Sequence, residues 1–174
     1  TYAAICAELG IPSVLVNNAG TNPHFGPLLS ATERAWDKTF EVNLKGPFWA
    51  IRAVGQGLIN AQMAGSVINT ASIQGRVGAP LQGVYGMTKA ALISMTQTFA
   101  AELGPSGIRV NAIAPGEIKT DILSPDSETA ILPQIPLGRF GDANEVADTI
   151  FFLCSDQAQY LNGSEIHVNG GQHV

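Results

Sequence analysis

Residues 13–20 read Ser13-Val14-Leu15-Val16-Asn17-Asn18-Ala19-Gly20, a run of successive apolar residues that ends in a polar turn closed by glycine. A strand with one wet face alternates apolar and polar residues. This run does not alternate, so it reads as a strand covered on both faces, as in a parallel sheet. Further strands are read downstream. Ser66-Val67-Ile68-Asn69-Thr70 leads into a glycine-rich loop from Ser72 to Gly83, and Ile108-Arg109-Val110-Asn111-Ala112-Ile113 is ended by Ala114-Pro115-Gly116. A last strand is read at Glu165-Ile166-His167-Val168.

Helical patterns fill the intervals. Tyr2, Ile5, Cys6 and Leu9 recur at helical spacing and stop at Gly10 and Pro12. A long helical stretch from about Thr32 to Gln62 has Thr32 as its N-cap and a kink or break at Gly46-Pro47. Another runs from about Val84 to Leu103 and closes at Gly104-Pro105, and the last covers about Ala143 to Ser155. Strand and helix alternate throughout, which predicts an α/β fold with a parallel sheet, in a single domain over residues 1–174.

Composition narrows the function. Of 174 residues, 45% are apolar and 13% charged, a balance that excludes a disordered chain or a coiled coil. Nine Lys and Arg against 14 Asp and Glu give a net charge of −5 with no basic cluster, which argues against nucleic acid as a partner. No apolar run has the length of a membrane span, and no signal-peptide pattern opens the chain, so no membrane partner is expected. Cys6 and Cys154 are too few for a disulfide framework, which fits a cytoplasmic setting. His24, His167 and His173 lack the spacing of metal ligands, so no metal is expected.

In open α/β sheets, ligands gather beyond the carboxyl ends of the strands. Here those ends are Asn17 to Gly20, Thr70 to Ser72, and Pro115 to Thr120. Tyr85 and Lys89 stand four apart at the start of a helix and share one face of it. An ammonium beside a phenol stabilises the phenolate, so Lys89 is expected to draw the Tyr85 pKa down toward the range of a working acid-base. Ser72, 13 residues earlier, ends the neighbouring strand, where its hydroxyl can hold a carbonyl or alkoxide oxygen. The loop Asp121 to Pro136, with Pro125, Pro133 and Pro136, reads as a substrate lid.

These motifs, namely Asn17-Asn18-Ala19-Gly20, Asn43 within Glu-Val-Asn-Leu, Ser72, Tyr85-Gly-Met-Thr-Lys89 and Pro115-Gly116-Glu-Ile118-Lys-Thr120, resemble in order and spacing the short-chain dehydrogenase/reductase family. The resemblance runs nearly the length of the chain. It implies the C-terminal part of a doubly wound, Rossmann-like domain that interconverts a secondary alcohol and a ketone with NAD or NADP. By the same resemblance, Tyr85 would be the acid-base, Lys89 would tune it and bond the nicotinamide ribose, and Ser72 would orient the substrate oxygen. Asn43 would hold a water that relays protons to Lys89. Asn18, Ala19 and Gly20 would line the adenosine side of the cofactor, with Thr70 nearby, while Pro115, Gly116, Ile118 and Thr120 would meet the nicotinamide end. The family's opening strand, glycine-rich turn and helix are not in these 174 residues, so the resemblance implies an N-terminally truncated member lacking the pyrophosphate cradle. Asn69-Thr70-Ala71-Ser72-Ile73 and Asn162-Gly163-Ser164-Glu165-Ile166 look like the sugar dehydrogenase and 3-oxoacyl reductase branches. Family members pair through the long helices that here carry Trp36, Phe40, Phe48 and Trp49, which implies a homo-oligomer, a dimer or tetramer. The rival reading is a truncated, non-catalytic remnant that serves as an oligomerisation or interaction module.

Overall fold

A computed structural model describes residues 2–119 and 130–173. Four strands, β1 (Val14–Asn17), β2 (Gly65–Thr70), β3 (Ile108–Pro115) and β4 (Glu165–Val168), form one sheet in that order, every pair parallel. The helices are α1 (Tyr2–Leu9), α2 (Glu33–Phe40), α3 (Gly46–Ala61), α4 (Gly83–Leu103) and α5 (Ala143–Cys154). The expected α/β architecture is the one observed. No described helix is long and apolar enough to cross a membrane.

Helices cover both faces of the central strands. Ile51, Val54 and Leu58 of α3 and Ala100 of α4 bury against Val67, Ile108 and Val110 on one face. Leu153 of α5 buries against Ile68 and Ile113 on the other. Burial of both faces leaves the polar side chains of β2 and β3 bonded to neighbouring elements: Ser66 and Arg109 donate to the Leu153 carbonyl, and Asn69 donates to the Thr96 hydroxyl. β1 departs from that expectation. Leu15 packs on the α3 side, but Val14 and Val16 are 42% and 40% exposed, because among the described residues no helix lies over their face.

The irregularity predicted in the long helix falls one step early. Thr32 caps α2 as expected, its hydroxyl accepting from the Ala35 N–H at 3.2 Å. A five-residue π turn, Glu41–Lys45, then joins α2 to α3 without a break, and Pro47, two residues on, supplies no N–H to the helical ladder there. Asn43 lies inside that turn and is buried. Asp142 and Glu145 form a reciprocal capping box at the start of α5, with Arg139 bidentate on Glu145 at 2.7 and 2.8 Å. The proposed lid lies mostly outside the described residues. Its far end is anchored rather than loose, because Ile135 is buried.

Candidate active site

The carboxyl ends of β1, β2 and β3 open into a cleft of about 500 Å³. Its geometry follows from how closely α4 can approach the loop after β2. At Gly75 an added Cβ would stand 2.9 Å from both the Lys89 carbonyl carbon and the Ile93 Cδ1 atom. At Gly86 it would stand 3.0 Å from the Gln74 carbonyl oxygen. Two glycines therefore let backbone meet backbone, and they set Tyr85 and Lys89 beside Ser72.

Lys89 is buried. Its ammonium donates to the Thr70 carbonyl oxygen at 2.6 Å and lies 5.3 Å from the centre of the Tyr85 ring. Burial holds its pKa down at about 8. Ser72 is buried and accepts from the Gln74 N–H at 3.2 Å. The Tyr85 phenol does not follow the expectation of a lowered pKa. Burial raises it, a hydrogen bond with Ser72 draws it partly back, and the charge of Glu117 adds to the rise. Desolvation disfavours the phenolate here more than the Ser72 hydrogen bond favours it.

Asn43 stands behind the cleft wall. Its side-chain amide donates to the Thr21 carbonyl at 2.9 Å and the Thr88 hydroxyl at 3.1 Å, and its oxygen accepts from the Thr21 N–H at 2.8 Å. Both amide hydrogens are thus given to protein, tying the β1–α2 connection to α4. A partly buried chain of the same kind runs from Asn17 through Asn69 to Thr96, at 2.8 and 2.9 Å, and fixes β1 and β2 to α4.

Of the residues singled out from sequence, the cleft brings together Asn18, Gly20, Thr70, Ser72, Tyr85, Lys89, Pro115, Gly116 and Ile118. The Thr70 hydroxyl donates to the Asn18 side-chain oxygen at 3.3 Å. Ala19 is exposed and does not line the cleft, since neighbouring residues of a turn point apart. Thr120 lies outside the described residues. Asn22, Gln74, Gln82 and Glu117 also line the cleft and were not found from sequence. Glu117 lay within the quoted Pro115 to Thr120 segment, and its position beside Gly116 was the available signal.

The donor set fits the nicotinamide-ribose end of NAD or NADP. At Gly20 an added Cβ would stand 3.7 Å from the Lys89 ammonium and 3.8 Å from the Asn43 side-chain oxygen, so the absent side chain leaves the approach to Lys89 open. The pyrophosphate end is different: among the described residues lining the cleft, Lys89 is the only cation.

Comparison with known proteins gives matches over nearly the whole chain. The family profile described as Enoyl-(Acyl carrier protein) reductase matches residues 1–173. FixR of Bradyrhizobium diazoefficiens is 46% identical over 169 residues, covering 92% of this chain and 59% of FixR. The 3-oxoacyl-(acyl-carrier-protein) reductase FabG of Staphylococcus epidermidis is 43% identical over 173 residues, covering 98% of this chain and 70% of FabG. Among solved structures, a 4-hydroxyisoleucine dehydrogenase complexed with NADH superposes with a TM-score of 0.92 at 31% identity, covering 99% of this chain and 74% of that one. A 3-oxoacyl-(acyl-carrier protein) reductase from Brucella melitensis gives a TM-score of 0.92 at 35% identity, over 99% of this chain and 67% of that one. The chain thus spans between 59% and 74% of the length of these proteins.

Proposed function

The chain belongs to the short-chain dehydrogenase/reductase family, and from that premise we propose that the protein of which it forms part interconverts a secondary alcohol and a ketone with NAD or NADP. The observation that carries the reading is the meeting of Ser72, Tyr85 and Lys89 at one end of a parallel sheet, in a cleft open to solvent.

In this reading, Ser72 and Tyr85 hold the substrate oxygen, and the Tyr85 hydroxyl exchanges a proton with it. Lys89 holds the cofactor's ribose and supplies positive charge beneath the phenol. Asn18, Gly20, Thr70, Pro115, Gly116, Ile118 and Thr120 position the cofactor. The cofactor, when bound, supplies the hydride chemistry. Asn43 fixes the wall that carries Thr21 and steadies Thr88 one residue before Lys89. A water held near it would complete the proton path from Lys89 to solvent. The free thiols of Cys6 and Cys154 support a reducing, cytoplasmic setting.

Pairing of two copies is part of the proposal. Phe40, Leu44, Phe48, Trp49, Met95 and Phe99 of α2, the π turn, α3 and α4 line an apolar groove, with Phe48 and Trp49 40% and 49% exposed. A second copy laid on this face would bury it, in a dimer or tetramer. The central experiment is spectrophotometric: the purified complete protein should reduce NAD or NADP with a secondary alcohol. Failure with both cofactors across a broad alcohol panel would favour the interaction-module reading.

A further inference from the structure

Among the described residues, only two charged side chains line the cleft, Lys89 and Glu117. Lys89 is committed to the Thr70 carbonyl. Glu117 is held by its backbone on both sides: its N–H donates to the buried Gln172 side-chain oxygen at 3.3 Å, and its carbonyl accepts from the Gly141 N–H at 3.0 Å. No described residue donates a hydrogen bond to its carboxylate. Its backbone is therefore held where the side chain lines the cleft, close enough for its charge to act on the Tyr85 phenol, while burial raises its own pKa and His173 lowers it.

Two further acceptors stand in the same wall without a donor. The side-chain oxygens of Asn22 and Gln74 are shielded from solvent and meet no hydrogen-bond partner among the described residues, while the Asn22 amide nitrogen is used on Gln82 at 3.0 Å. The wall around Ser72 and Tyr85 thus carries a surplus of acceptors. Unpaired buried acceptors are costly until a donor reaches them.

We propose that Glu117 selects the substrate: the cleft takes an alcohol or ketone that carries a hydrogen-bond donor, a hydroxyl or an ammonium, close to the reacting carbon, and rejects one that carries a carboxylate or thioester there. The proposal rests on the reading of Ser72, Tyr85 and Lys89 as the reacting centre. A carboxylate substrate would face Glu117 charge to charge; among the described residues lining the cleft Lys89 is the only cation, and the His173 imidazole stands near Glu117 outside that lining. A thioester brings only acceptors to a wall that already has too many. A polyol or amino alcohol brings donors to all three.

The test uses the complete enzyme with NAD and with NADP, on secondary alcohols of matched size: a plain alkanol, a vicinal diol, an amino alcohol, a hydroxy acid and a 3-hydroxyacyl thioester. The diol or the amino alcohol should exceed the hydroxy acid and the thioester in kcat/KM by about 10- to 100-fold, the range of one hydrogen bond to a charged group. E117A should remove that advantage mainly through KM, and E117K should favour the hydroxy acid. E117Q separates the two donors, because it keeps an acceptor and loses the charge: kcat/KM should fall more for the amino alcohol than for the diol. Circular dichroism of each variant checks folding. Equal kcat/KM across the panel, or a preference for the hydroxy acid or thioester in the native enzyme, overturns the proposal and leaves the oxidoreductase reading standing. No turnover of any member with either cofactor overturns both.

Discussion

The Lys89 ammonium donates to the carbonyl oxygen of Thr70 at 2.6 Å, so the cation of α4 is pinned to the last residue of β2. That bond holds the charge beneath the Tyr85 ring, and it does so in a buried place that penalises the charge. Function and stability therefore pull Lys89 in opposite directions.

Replacing Lys89 with Met should make this opposition measurable. Its pKa of about 8 in the folded protein lies below the ordinary 10.5, so between those values the unfolded chain binds more protons. Stability then rises with pH through that window. The penalty, on the order of 3 kcal/mol, is present in full below about pH 8 and is relieved toward pH 10.5. Lys89→Met removes it but leaves the Thr70 carbonyl unpaired, at about 1–3 kcal/mol. Relative to wild type, the variant should be most favoured near pH 7 and lose ground as pH rises toward 10, while its kcat collapses. A stability difference that does not change with pH would contradict the assignment; denaturant titrations at pH 7 and 9.5 decide it.

Tyr85→Phe should lower kcat by on the order of 10²-fold or more with unchanged circular dichroism. Activity within a few-fold of wild type would remove the phenol from the chemistry.

The pH profile of alcohol oxidation carries two opposite signs. Burial raises the Tyr85 pKa, so in the free enzyme kcat/KM should still be climbing in the alkaline range. Ser72 draws that pKa down, so Ser72→Ala should move the rise to higher pH. Glu117 pushes it up, so Glu117→Gln should move the rise to lower pH. Shifts in the same direction would refute this account of the phenol's surroundings.

Gly75→Ala tests the close approach of α4 to the loop after β2. The new methyl would press on the Lys89 and Ala90 backbone at 2.9 and 3.0 Å, and main-chain atoms of a packed helix cannot turn aside. A loss of about 1–3 kcal/mol in denaturant stability is expected, together with a fall in kcat as Lys89 and Tyr85 are moved from Ser72. Wild-type stability and rate would mean that the loop, rather than the helix, gives way.

The strands and helices were legible because apolar runs are bounded by glycine and proline: β4 spans the predicted residues, and α4 begins one residue early, at Gly83. The pairing of Tyr85 with Lys89 was legible because helical spacing is a local property. The bare face of β1 was not, since covering a strand depends on which elements lie above it, and the sequence of Val14 to Val16 is the same either way. Gly46-Pro47 marked the irregularity in the long helix, but not its form, because the π turn precedes the proline and its own residues carry no turn signal. Asn22, Gln74 and Glu117 escaped notice for a third reason. Each sits on a different loop, and only the folded chain makes their oxygens converge.

The five-residue turn at Glu41–Lys45 works as a phase shifter. An α-helix advances roughly 100° per residue, so one residue accommodated without lengthening the rod rotates everything after it by about that angle. The rotation lets one continuous rod present Asn43 inward to Thr21 and Thr88 while Phe48 and Trp49 look outward. Deleting a single residue there would straighten the rod and put one of these two settings out of register. The inner clamp and the outer apolar face thus share one register, set by the turn between α2 and α3.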